Sequence, residues 1–373
     1  MKTYKDVHEA FIGTVKDVMS KGNDITVRGM PTKELMGHAF KVENADMRML
    51  AMPERGTNPF AQIAETLWML AGRDDLDWLE LYIPQCKKWS DDGKTWRGAY
   101  GPRLRNWRNP EITDAGVDQL MRVSDLLNND PGTRQAVMTI WDPAKDWVKS
   151  KDIPCNNWLH FIIRDGKLHL NVGVRSNDAI YGFSHNDFFS WSMLLQMMAH
   201  WSGVHTGSIT WFAGSYHIYD KYYVLARKIA LCDTPSMYDY LERNDQKLNP
   251  LPIFDTEFQY FDAALDIVFK AENAMRNLME EGDKFAVDIV EGYDNWLDCF
   301  MHSCMTMMCS YVCYKAGDIE QAVDLINSMH DYDMKIAGIV YYIRQGIGLD
   351  QFNHGYKLKY VEDFVRMIWQ KIR

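Results

Sequence analysis

No run of apolar residues in this chain reaches the roughly 18–20 that a membrane-crossing helix needs. A helical span is therefore excluded as the source of its apolar content. Positive charge is also scarce. With 41 Lys and Arg against 51 Asp and Glu, the net charge is −10, and such a field repels nucleic acid and anionic membranes. Cysteine pairing is missing: the seven cysteines are odd in number and form no CxxC motif, which fits a reducing cytosol better than a disulfide framework. The opening "MKTYKDVHEAF" lacks the apolar centre of a signal peptide, so a cytoplasmic location is expected. Repeats and low-complexity tracts are absent.

What is present is material for a core. Hydrophobic residues make up 47%, with 13 Trp, 19 Tyr and 23 Met among 373 residues, enough for a large domain with an appendage. Cys299, Cys304, Cys309 and Cys313 cluster in "CFMHSCMTMMCSYVC". Their spacing matches neither zinc nor iron–sulfur sites, and the intervening Met residues read as a buried helix. No metal is expected.

The first half mixes helical stretches ("YKDVHEAFIGTVKDVMS", "FAQIAETLWMLAG") with strand-like ones. "RQAVMTIWD" reads as a buried strand. "WLHFII" and "KLHLNVGV" flank "RDGK", where Asp-Gly predicts a type I′ hairpin turn. "FFSWSMLLQMMAHW" has helix-period apolar positions, "NDQKLNPLPIFDTEF" breaks the pattern, and nearly everything beyond it reads as helix. A mixed α/β body over 1–248 and a helical module over 249–373 follow. Extended without a bulge from the pair Arg164 and Lys167, the hairpin places Cys155 opposite Ser176 and beside Arg175. A guanidinium there would lower the thiol pKa and make a nucleophile. A buried structural cysteine is the commoner state, but the polar flanks "PCNN" and "RSND" argue against it.

The segments "TRQAVMTIWDP", "PCNNWLHFIIRDGKLHL", "RSNDAIYG" and "GSYHIY", with weaker "VRGMPT" and "AETLWMLAG", together resemble the thymidylate synthase superfamily over roughly residues 20–225. That resemblance implies an α+β fold, a mixed β-sheet domain with flanking helices, here followed by an all-helical extension. It also implies a homodimer joined back to back through the sheet, and C5 alkylation of a pyrimidine nucleotide by 5,10-methylenetetrahydrofolate. By the same resemblance, Cys155 is the nucleophile that adds to C6 of the base. Arg175, Ser176 and Arg28 bind the phosphate, and Arg134 reaches the partner subunit's site. The family often has two adjacent arginines at that last place, whereas this chain has Arg134-Gln135. Glu65 organises water and proton transfers, Tyr100 handles protons, and His217 with Tyr219 reads the sugar 3′-hydroxyl. Asp178, Gly182 and Trp89 fall on the folate side. Taken alone, each has a plainer reading: Glu65 as a solvated helix residue, Asp178 as a turn-stabilising Asp, His217 and Tyr219 as an ordinary strand end.

Three departures bear on the product. Counting back from Tyr100 puts Cys86 where the family has the tryptophan that packs on the folate intermediate, leaving that wall open unless Trp96 takes its place. The chain continues in helices where family members end in a short closing tail. Third, the residue that reads the base is ambiguous by one. Counting from Arg175 gives Asn186, whereas counting back from "GSYHIY" gives Asp187. An inserted residue in the loop "FSH" reconciles the counts and selects Asp187, because the following helix cannot absorb one without rotating its apolar face. Asp is also a favoured helix N-cap. A carboxyl at this place favours cytosine over uracil, whose amide-reading partner would be Asn. The expected activity is hydroxymethylation of dCMP with release of tetrahydrofolate. The alternatives are a C5-methylase, a hydroxymethylase of dUMP or CMP, or, in another class, a non-catalytic regulator binding nucleic acid or a protein partner.

Overall fold

Apolar side chains at every second residue of "ITWFA" lie at the centre of a mixed sheet: Ile209, Trp211 and Ala213 are buried while Phe212, between the last two, is exposed. The computed structural model describes residues 1–108, 116–244, 251–293, 296–330, 332–352 and 359–372. Among these, seven strands make one sheet: β1 (Lys2–Tyr4), β2 (Asn23–Val27), β3 (Met30–Val42), β4 (Val137–Thr139), β5 (Asn156–Arg164), β6 (Lys167–Asp178) and β7 (His205–Tyr219). The order is β1-β3-β7-β6-β5-β4, with β2 paired to β3. β1 with β3 and β6 with β7 are parallel, the other pairs antiparallel. The fold is the α+β arrangement expected from the resemblance.

Two hairpins position functional residues. In the first, Val27 pairs with Met30 across Arg28 (φ 50°) and Gly29 (φ 79°), so Arg28 sits in the left-handed region that non-glycine residues enter only at a cost. In the second, Arg164 pairs with Lys167 across Asp165 (φ 52°) and Gly166 (φ 71°), the predicted two-residue turn. That hairpin is not regular to its end. The register shifts between Asn156 and Trp158, and the Arg175 amide donates to the Cys155 carbonyl at 2.9 Å. Cys155 therefore lies across from Arg175, not from Ser176 as an unbulged ladder requires. A bulge adds one residue to one strand and re-aims the side chains beyond it.

Between β6 and β7 the chain winds through a π-helical stretch, Ala179–Asp187, before the helix Phe188–Trp201. A π-turn is how a helix accommodates an extra residue, and this one covers the loop where the insertion was expected. Of that following helix, Phe188, Phe189, Trp191, Leu194, Leu195 and Met198 are all buried, so its apolar surface leaves no face free to rotate.

The chain divides into two compact units, one of residues 1–48 and 65–232, the other of 49–64 and 233–373. The boundary expected at residue 248 lies outside the described residues. In the second unit α-helices predominate, including Phe258–Glu281, Cys299–Ala316, Ile319–Ser328 and Asp333–Arg344. Cys304, Cys309 and Cys313 are buried in the second of these and Cys299 is exposed. No group of His, Cys, Asp and Glu able to hold a metal occurs among the described residues, nor is any helix there long and apolar enough to cross a membrane.

Candidate active site

Two cavities meet at Cys155. The outer one, about 440 Å³, lies at the ends of β3, β6 and β7 and is lined by Arg28, Arg175, Ser176, His217, Tyr219 and Trp89 among others. Its cations gather against the chain's acidic charge, which is what a phosphate site needs in such a field. Arg175 is held in place by its own loop: Nε donates to the Pro154 carbonyl at 2.8 Å and Nη2 to that of Ile153 at 2.9 Å. The same Nη2 stands 3.8 Å from Cys155 Sγ, and the guanidinium lies 5.9 Å from the Trp141 ring centre. His217 Nδ1 and Ser215 Oγ are 3.2 Å apart, Ser215 donates to Glu34, and the His217 and Tyr219 rings meet edge to face at 5.0 Å. Burial lowers the His217 pKa, so its imidazole is held neutral, able both to donate and to accept.

The inner cavity, about 140 Å³, is lined by Glu65, Tyr100, Asn186, Asp187, Trp96 and Trp191 with Cys155. Asn156 is its junction. Its amide nitrogen donates to the Tyr100 hydroxyl at 2.8 Å and to Asp187 Oδ1 at 3.0 Å, while its oxygen accepts from Trp191 Nε1 at 3.1 Å. Asn177 donates to Asp187 Oδ2 at 2.7 Å. Both carboxylate oxygens of Asp187 thus carry an amide hydrogen. Desolvation pushes Asp187 up to about 6 even so, and pushes Glu65, with the Asp187 charge adding to it, up to about 8. At neutral pH Glu65 holds its proton, which the Asn186 side chain opposes by hydrogen bonding to it.

The structure brings Cys155, Arg175, Ser176, Arg28, His217, Tyr219 and Trp89 to one cavity and Glu65, Tyr100, Asn186 and Asp187 to the other. Three expected residues line neither. Arg134 is exposed, and its carbonyl bonds His160 Nε2 at 3.1 Å. Asp178 caps the π-helix, accepting from the Ile180 amide at 2.7 Å. Gly182 lies against Asn177, where a Cβ would come within 2.7 Å of the amide nitrogen; a side chain there would push Asn177 off Asp187.

Two expectations are corrected. The Cys155 thiol is raised, not lowered: burial outweighs the Arg175 guanidinium, and Asp187 and Asp152 add to the rise. The position of Cys86 is not open either. Cys86 is fully buried with its thiol toward the Leu76 carbonyl, and Trp96 lines both cavities instead, fixed by an Nε1 bond to the Cys86 carbonyl at 2.9 Å and edge-on contact with Trp68. An aromatic wall is therefore present. Residue-by-residue reading missed Asn156, Asn177 and Asp152. The only available signal was polar residues crowding the nucleophile in "KDIPCNN" and "RSND".

The thymidylate synthase family model matches residues 9–265. The deoxyuridylate hydroxymethyltransferase of Bacillus phage SP01 is 36% identical over 216 residues, covering 57% of this chain and 56% of that protein. Its counterpart of the same name in Pseudomonas phage M6 is 35% identical over 188 residues, 50% of this chain and 51% of that one. The thymidylate synthase of Vesicomyosocius okutanii subsp. Calyptogena okutanii (strain HA) is 28% identical over 264 residues, 70% of this chain and 94% of that protein. The chain thus spans about half the length of the two phage relatives.

Proposed function

The chain belongs to the thymidylate synthase family, and from that premise we propose that it hydroxymethylates C5 of a pyrimidine nucleoside monophosphate, with dCMP as its substrate. The observation that carries the reading is the meeting of a phosphate-type cavity and a carboxyl-lined cavity at one cysteine. Phosphate against Arg28, Arg175 and Ser176 and the sugar against His217 and Tyr219 bring the base to the inner cavity. Cys155 then adds to C6, since a pyrimidine C5 is not otherwise reactive. Burial holds the free thiol up, and the Arg175 guanidinium, 3.8 Å from Sγ, is the group that favours its thiolate. Methylenetetrahydrofolate supplies the carbon at the oxidation level of formaldehyde. The flat walls of Trp89 and Trp96 suit its pteridine ring, and Glu65, holding a proton at neutral pH, is placed to donate it.

Cytosine is favoured by Asp187. Cytosine shows an N3 acceptor and an N4 amino donor, which a carboxyl sharing a proton with N3 satisfies. Uracil would set its O4 against carboxylate charge, at a cost of about 1–3 kcal/mol for the mismatched buried edge. One observation favours uracil as a second reading: Asn186, which has the amide chemistry uracil needs, lines the same cavity with its Oδ1 buried and without a hydrogen bond, and the phage relatives are named for deoxyuridylate. The dimer belongs to the same proposal. Phe212, Met36 and Val137 on the sheet's strands are exposed, and a partner covering the sheet would be served by Arg134, which lines neither cavity of its own chain.

The test is mass spectrometry of products from dCMP, dUMP and CMP, each incubated with methylenetetrahydrofolate. A hydroxymethyl adduct formed fastest on dCMP is the expected result. A methyl adduct with dihydrofolate would overturn the hydroxymethyl reading, and turnover of dUMP alone would move base reading to Asn186.

A further inference from the structure

Three carboxyl groups stand near the reacting atoms, and they are not equivalent. Glu65 holds a proton at neutral pH. Asp187 has an amide hydrogen on each oxygen. Asp152 differs from both. It lies three residues before the nucleophile, and among the described residues it is one of four, with Trp96, Ile153 and Cys155, that line both cavities. That places it where the cavities join, which is also where the C5 substituent of a base attached through C6 to Cys155 must lie.

The carboxyl is held there by construction. Its Oδ2 accepts from the Gly98 amide at 2.8 Å. Gly98 has no side chain to spare: a Cβ would come within 2.7 Å of Asp152 Oδ1, so the glycine lets the carboxylate lie flat against the backbone. The Asp152 amide is bound by Ser150 Oγ at 3.0 Å, and Asp91 holds both Ser150 Oγ at 2.6 Å and the Lys151 amide at 3.0 Å. Segments 90–98 and 150–152 are thus tied together around this one side chain. The placement carries a cost, because a negative charge beside Cys155 makes its thiolate harder to form. An uncharged residue would tie the loop without that penalty.

We propose that Asp152 is the general base for the water that completes the hydroxymethyl group, an inference that rests on the hydroxymethyl reading above. The water oxygen bonds to the exocyclic methylene carbon while its proton passes to Asp152. The electron pair of the exocyclic double bond moves through C5 onto the C4 substituent of the base. It then returns to form C5=C6 as the C6–S bond breaks and Cys155 leaves as thiolate. Nothing is oxidised or reduced, and the folate has already departed as tetrahydrofolate. Glu65 gives protons in this site and Asp152 takes one, a division set by their surroundings.

Asp152→Asn separates this role from loop tying, since the amide oxygen still accepts from Gly98. Two rates are compared with 5-tritiated dCMP and methylenetetrahydrofolate: tritium release, which reports C5–H loss, and hydroxymethyl product by mass spectrometry. The ratio of release to product should rise tenfold or more in Asp152→Asn, with product formation down roughly 100- to 10,000-fold, the range of a lost general base. Added 2-mercaptoethanol should appear as a thioether on the waiting methylene. Asp152→Ala should regain product when formate is supplied. An unchanged ratio in Asp152→Asn, or the absence of formate rescue in Asp152→Ala, overturns the assignment and leaves Asp152 a loop tie. A wild-type chain that makes the methyl product and dihydrofolate overturns the function reading itself, and the base with it.

Discussion

Glu65 is a residue whose surroundings reverse its ordinary protonation at neutral pH. Its carboxyl is pushed up to about 8 by desolvation and by the nearby Asp187, so the protonated form persists through neutrality. If that proton is used in turnover, kcat/KM should fall as pH rises past about 8, and Glu65→Gln should abolish this limb while lowering kcat roughly 100- to 10,000-fold. Stability should follow with a definite sign. A folded-state pKa above the ordinary 4.5 means the fold prefers the protonated group, so its contribution is complete below pH 4.5 and is lost as pH climbs through 8. Melting temperatures from pH 5 to 9 should therefore fall more steeply for the wild type than for Glu65→Gln; parallel curves would contradict the raised pKa. At this scale the sequence was informative about identity and not about protonation. Cys155 and Arg175 stand out in "PCNN" and "RSND", but the direction of the Cys155 shift depends on Asp187 and Asp152 and on burial, which only the folded chain brings together.

Which residue the proposed base would meet is set at the scale of elements. The π-helix Ala179–Asp187 takes up one residue more than an α-helix of the same span would, and it delivers Asp187 between the amides of Asn156 and Asn177. In the sequence this feature shows only as two counts that disagree by one. The bulge at the start of β5 left no such trace, because no second fixed point lies beyond it to expose the slip, and it moved Cys155 from Ser176 to Arg175. The Asp-Gly turn was legible because its two positive φ angles demand particular residues. The π-helix assignment has a direct consequence. Asp187→Asn should lower the dCMP-to-dUMP ratio of kcat/KM by about tenfold or more, the measure of 1.4 kcal/mol, while Asn186→Asp should leave that ratio near the wild-type value. The reverse pattern would mean that the base lies against Asn186.

For the whole molecule, a reading along the chain suggests a body followed by an appendage, and the contacts do not divide that way. Residues 49–64 belong with 233–373, although "MLAMPERGTNPFAQIA" sits deep in the first half and carries no composition shift to mark it. Its side chains explain the grouping. Met49, Leu50, Met52, Phe60 and Ile63 are buried, and Phe60 meets the rings of Tyr311 at 5.2 Å, Tyr341 at 5.3 Å and Tyr342 at 5.0 Å. The helix that starts at Pro59 in this segment runs on to Leu70 and carries Glu65. Helical residues beyond 232 therefore supply the partners of Phe60 within the second unit. Phe60→Ala should cost about 3–5 kcal/mol, as for other aromatic-to-alanine changes in a core. A chain ending at residue 232 should leave those apolar groups uncovered and show no cooperative melt by circular dichroism or calorimetry. If that shortened chain instead melts cooperatively, residues 49–64 need no partner from 233–373.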